Sequence, residues 1–84
     1  MTPEDRVIAC FARLLGMRPA DIKMQSTLDE LGMDSLDVLE TIMALEDEFE
    51  IDISEDETAA FNTVGEFAAL VKKQVAGTIN GYPV

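Results

Sequence analysis

The sequence predicts an all-α domain, a compact antiparallel four-helix bundle with three longer helices, one short helix and a long loop after the first. Three observations carry this reading. Apolar residues recur at helical spacing in separate stretches. Caps and glycine or proline stops punctuate those stretches. The one alternating segment, Glu50-Ile51-Asp52-Ile53, is too short to stand as a strand without a partner and reads as an extended link. The chain's 84 residues suit a single small domain, expected over residues 1–77, with a flexible tail over 78–84.

Each element has a physical signature. Thr2 followed by Pro3 and Asp5 gives an N-cap, a proline suited to the first helical position and an approximate capping box. Val7, Ile8, Phe11, Leu14 and Leu15 then form one helical stripe, ended by Gly16 and Pro19. Residues 17–34 make a connection long enough to need anchors of its own, for which Ile22, Leu28 and Leu31 are suited, with a short helical turn at 19–22. Ser35 can cap the second helix, where Asp34 and Asp37 suit a positive helix end. Its periodicity places Asp37, Glu40, Thr41, Ala44 and Glu48 outward, and Leu36, Leu39, Ile42, Met43 and Phe49 inward. Glu46 is the misfit on the apolar arc.

Ser54 with Glu57 and Thr63 with Glu66 each read as a capping box. The first opens a short helix ending before Asn62. The second opens a helix with Phe67, Leu70, Val71 and Val75 on one face, Lys72 and Lys73 near its end and Gly77 as its stop. The expected core gathers Phe11, Leu39, Phe49, Phe67 and Leu70.

Charge narrows the function. Thirteen acids and no Lys or Arg lie from Asp29 to Glu57, so this segment carries −13. The flanks hold six basic residues against four acids, a balance of +2 that brings the net charge to −11. Phosphates would be repelled, which excludes nucleic acid as a direct partner. A basic protein surface is the complement, and the charge would speed encounter more than it tightens binding. No apolar run is long enough to span a membrane, and the first residues lack the basic region and apolar core of a signal peptide, so the expected compartment is the cytoplasm.

Catalysis and metal binding find little support. Ser35 has no histidine anywhere in the chain to activate it, and a nucleophile elbow would need glycines where Met33 and Asp37 stand. No twelve-residue window supplies a calcium loop; one starting at Asp47 puts Phe49 and Ile51 at ligand positions. The lone Cys10 reads as a small buried hydrophobe. Ser35 is therefore either a plain cap or an acceptor modified by another enzyme, because a helix N-terminus favours a phosphate-bearing group. Spacing alone leaves these two readings level.

The stretch "LGMDSLDVLETIMALEDEF" decides between them. Gly32-Met33-Asp34-Ser35-Leu36 resembles the phosphopantetheine attachment motif of acyl carrier proteins, and Asp37, Glu40, Met43-Ala44-Leu45-Glu46 and Phe49 stand where that family has like residues. Thr27-Leu28, Leu31-Gly32 and Thr63-Val64 extend the resemblance over roughly residues 4 to 75. It implies a carrier with no catalytic residue and no metal, in which a phosphopantetheinyl transferase attaches 4'-phosphopantetheine from coenzyme A to Ser35.

The terminal thiol would hold acyl intermediates of fatty-acid, lipid or polyketide synthesis as thioesters. Asp34 and Leu36 would serve transferase recognition; Asp37, Glu40, Met43 and Asp47 would dock basic surfaces of acyl-handling enzymes; Leu28, Leu45 and Phe61 would line an acyl pocket. Phe61 stands where a smaller aliphatic residue is common in the family's fatty-acid carriers, so it is expected to narrow that pocket and disfavour long chains. The region 55–62 departs from the housekeeping pattern, which favours a specialised, free-standing, monomeric carrier. Met33-Asp34 favours the acyl type over an aminoacyl or peptidyl carrier of the same fold. The reading from a different class is an unmodified acidic helical interaction module.

Overall fold

Thr2 starts the first helix as predicted. In the computed structural model, which describes residues 2–76, 78, 79, 82 and 83, its hydroxyl accepts the Asp5 N–H at 3.1 Å while Asp5 accepts the Thr2 N–H at 3.4 Å. Helix α1 runs Pro3–Leu15 and ends at Gly16 in the left-handed region, φ 67, where glycine carries no steric penalty. A single 3-10 turn, Pro19–Asp21, follows. Helix α2 spans Ser35–Phe49, α3 Glu55–Thr58 and α4 Val64–Ala76. Thr78–Ile79 and Tyr82–Pro83 pair as two-residue antiparallel strands, β1 and β2, within the stretch expected as a tail. Gly77, the expected stop of α4, lies outside the described residues.

The core forms where α1 meets α4 and α2. Val7, Cys10, Phe11 and Ala12 enter from α1, and Val64, Phe67, Ala68 and Val71 from α4. Both sets repeat at the i, i+3, i+4 spacing of one helix face. Phe11 meets Phe67 edge to face with centroids 5.7 Å apart, and Phe61 meets Phe67 likewise at 5.1 Å. Such pairs add about 0.5–1.5 kcal/mol beyond burial.

Leu39 is a correction. It was expected in the core but is exposed, because the inward face of α2 is Val38, Thr41, Ile42, Leu45 and Phe49. Thr41, expected outward, is buried, and its hydroxyl donates to the Asp37 carbonyl at 2.8 Å. That bond satisfies the polar atom inside its own helix. Leu14 of α1 and Val75 of α4 also turn out to be exposed, while α4 buries Val64 and Ala68 in addition to Phe67 and Val71.

The long loop is anchored as its length requires. Ile22 and Met33 are buried, with Leu28 and Leu31 half-buried against the core. Its middle bridges to the start of α4: Leu28 N–H donates to the Asn62 carbonyl at 2.8 Å, Val64 N–H to Ser26 at 3.0 Å and Gly65 N–H to Met24 at 2.8 Å. Any Cβ on residue 65 would lie 2.9 Å from the Met24 carbonyl oxygen, so glycine is what lets the loop lie against α4.

Two caps differ in kind. Thr63 and Glu66 form the predicted capping box, and Glu66 also accepts the Asn62 N–H at 2.8 Å. Ser54 forms none with Glu57; its hydroxyl takes the Asp56 N–H at 3.2 Å, and α3 closes after one turn. Glu46, the misfit of the apolar arc, accepts the Ile53 N–H at 3.0 Å and so ties the extended link to α2. Among the described residues no helix is long and apolar enough to cross a membrane.

Candidate functional site

The start of α2 is built around Asp34. Its backbone is extended, φ −100 and ψ −175, and its carboxylate accepts the Asp37 N–H at 2.9 Å while Asp37 accepts the Asp34 N–H at 3.1 Å. Asp34, not Ser35, is the N-cap, because Ser35 has already entered the helix. This correction sharpens the question of Ser35. With the capping role filled by its neighbour, Ser35 is exposed, and its hydroxyl has no hydrogen bond among the described residues. Buried Met33, whose N–H donates to the Leu28 carbonyl at 3.0 Å, fixes the segment just before it.

Ser35 also borders a cleft of about 410 Å³ between the loop, α2 and the α3 region. Leu28, Val38, Leu39, Ile42, Ala59 and Phe61 give it an apolar lining, and Ser35, Glu55 and Thr58 supply its polar side chains. Of the three residues the resemblance suggested for an acyl pocket, Leu28 and Phe61 border this cleft. Leu45 does not: it is fully enclosed in the core and is not among the lining residues. Val38, Leu39 and Ile42 had given no sign of lining a pocket in the sequence; a helical repeat from Ser35 toward α3 is the signal that could have found them.

Beyond the cleft, α2 presents an apolar and acidic surface. Leu36 is 61% exposed, Met43 58% and Leu39 38%. Glu40 and Asp47 are exposed beside them. Asp37 is half-buried and engaged in the capping box, which leaves it less available than its neighbours. Glu48 is paired at home. Arg6 donates to its carboxylate at 2.7 Å and its carbonyl at 2.9 Å, and the guanidinium lies 4.3 Å above the Phe49 ring.

Cys10 belongs to the core. It is 2% exposed, and burial raises its thiol pKa above the ordinary value, against the opposing pull of Arg13 and Arg6. Arg13, a basic neighbour the sequence did not reveal, places its guanidinium 4.0 Å from the sulfur. Among the described residues no three His, Cys, Asp or Glu side chains are grouped to hold a metal ion.

Comparison with known proteins bears on this geometry. Residues 5–71 match the family model described as the phosphopantetheine attachment site. The chain is 39% identical over 75 residues to an acyl carrier protein of Chlamydia trachomatis, covering 88% of this chain and 97% of that one. Its fold is similar to the crystal structure of an acyl carrier protein from Thermotoga maritima, with TM-score 0.76, 28% identity and coverage of 89% and 93%. The chain therefore belongs to the acyl carrier protein family, whose members are carriers and not enzymes, and its prosthetic group is 4'-phosphopantetheine.

Proposed function

We propose that Ser35 is the attachment point and that the chain carries acyl intermediates of fatty-acid, lipid or polyketide synthesis between enzymes. One observation supports this most strongly. The Ser35 hydroxyl faces solvent without a partner among the described residues and also borders the apolar cleft, so a tethered chain can reach a transferase or fold back. The residues fit the group. The Ser35 and Leu36 N–H groups, first in α2, have no intrahelical acceptor and favour a phosphodiester beside them. The Asp37 N–H, by contrast, is taken by Asp34, and the two carboxylates oppose the anion.

Attachment forms a bond from the Ser35 oxygen to the pantetheine-side phosphorus of coenzyme A. The pyrophosphate link breaks, adenosine 3',5'-bisphosphate leaves, and the serine proton passes to a base of the transferase. When attached, the group supplies a terminal thiol whose thioester is an activated acyl donor. Asp34 holds the helix start, and exposed Leu36 offers the transferase an apolar contact. Glu40, Met43 and Asp47, with a smaller part for Asp37, dock partner enzymes through basic surfaces. Individual exposed charge pairs are worth about 0–1 kcal/mol, which suits a monomeric shuttle that must leave each partner quickly. Phe61, braced against Phe67, narrows the cleft and disfavours long chains.

Intact-mass measurement after incubation with coenzyme A and a broad-specificity phosphopantetheinyl transferase tests the assignment. One added arm, absent in Ser35→Ala, is the expected result. An unchanged wild-type mass, where a known carrier gains the arm, would leave an acidic interaction module as the better reading.

A further inference from the structure

The polar side chains of the cleft are of one kind. Thr58 is only 5% exposed, and its hydroxyl proton is directed at backbone carbonyls of its own turn, Glu55 at 3.2 Å and Ser54 at 3.5 Å. A hydroxyl has one proton and two lone pairs, so what Thr58 can still offer is an acceptor. Glu55, when ionised, accepts only. Ser35, the third polar lining residue, loses its proton once esterified. After tethering, the cleft's side chains therefore present acceptors and no donor.

From this, and resting on Ser35 as the tether, we propose that the cleft selects cargo bearing a hydrogen-bond donor, a hydroxyl or an ammonium, over plain or carboxylated chains of equal length. A plain alkyl chain lying against this wall would return no hydrogen bond to Thr58 or Glu55. A carboxylated chain would set acceptor against acceptor, inside a segment with thirteen acids and no Lys or Arg. A donor on the chain meets Thr58 or Glu55 while its methylenes lie against Val38, Ile42 and Phe61.

The experiment loads the protein from coenzyme A thioesters of octanoate in four forms: plain, hydroxylated, aminated and carboxylated. The rate of thioester cleavage by hydroxylamine is read for each, relative to the same thioester on free pantetheine. On the wild type, the hydroxylated chain is expected to be cleaved about fivefold more slowly than the plain one, the factor of one neutral hydrogen bond. The aminated chain is expected to be cleaved at least as slowly, because its ammonium meets the Glu55 carboxylate. The carboxylated chain is expected to show the least protection. Thr58→Val should abolish the hydroxyl's advantage. Glu55→Gln, at an exposed position where folding is secure, should weaken protection of the aminated chain and raise that of the carboxylated one. Equal protection of plain and hydroxylated chains, with the arm attached, overturns this selectivity and leaves the carrier assignment standing. No added mass from any of the four thioesters overturns both.

Discussion

Helices α1 and α4 turn most of their large apolar residues inward, leaving out Leu14 and Val75 near their ends, and pair charges with each other: Val7, Phe11, Phe67 and Val71 are buried, while Lys72 meets Glu4 at 2.9 Å. Helix α2 does otherwise. It buries Ile42 and Leu45 but leaves Leu36, Leu39 and Met43 in solvent among acids. Its visible home pairing is the clasp of Arg6 on Glu48. One pair of helices holds the fold, and the other element presents a surface and a cleft. Stability and partner contact should therefore be separable by mutation, even in so small a domain.

The comparison breaks most visibly at Phe67. This ring is 1% exposed and touches both Phe11 and Phe61. Phe67→Ala should cost about 3–5 kcal/mol, read as a lowered urea midpoint. For a small domain that is a large share of a total of about 5–15 kcal/mol. A loss below about 1 kcal/mol would show that the α1–α4 half is not the holding half.

A subtler test separates two neighbours at the start of α2. Asp34→Ala removes the cap and should lower stability by about 1 kcal/mol, whereas Ser35→Ala should stay within about 0.5 kcal/mol because the residue is exposed and its hydroxyl has no bond to lose. Paired denaturant curves decide the matter. Equal costs would return the capping role to Ser35.

How much of this was legible in the sequence follows from the same asymmetry. Both ends of α1 and the start of α4 were readable because Thr2, Gly16, Thr63 and Glu66 satisfy specific orphan groups, a local matter. The inward face of α2 was not. Leu36, Leu39 and Met43 on one side compete with Val38, Ile42, Leu45 and Phe49 on the other, and periodicity cannot say which set is covered. A helix that shows apolar residues to a partner looks, in sequence, like one that buries them. Ser35, proposed above as the tether, drew notice through its motif. The cleft was half readable: Leu28 and Phe61 line it, but the wall from Thr58 and Ala59 depends on where a one-turn helix packs, which is a tertiary matter.

Acid should loosen the holding half through one cap and one ion pair. Glu66 has its pKa lowered chiefly by the Asn62 N–H, with Thr63 adding to the effect, and Glu4 has its own lowered chiefly by Lys72. Both are depressed in the folded state, so their contribution is complete above the usual glutamate value of about 4.3. It is lost as pH falls through the lower folded values. Glu66→Gln should flatten the decline of melting temperature with acid below that point. A mutant curve parallel to wild type there would remove Glu66 from the account.

The smallest effect on stability belongs to Met43, and it sharpens the contrast most. The side chain is 58% exposed on α2, so Met43→Ala should shift unfolding by less than about 0.5 kcal/mol. A holding residue would not behave so. The same substitution removes apolar area beside Glu40 and Asp47, where an incoming enzyme would lose contact but no steering charge. The loading reaction should therefore show a higher KM for the carrier, with kcat and the salt dependence of the rate kept. Glu40→Gln should do the converse, weakening the salt dependence because it removes charge and leaves the apolar contact. If Met43→Ala instead lowered stability by 1 kcal/mol or more with KM unchanged, the exposed methionine would belong to the core after all, and the division between holding and presenting helices would fail at its clearest point.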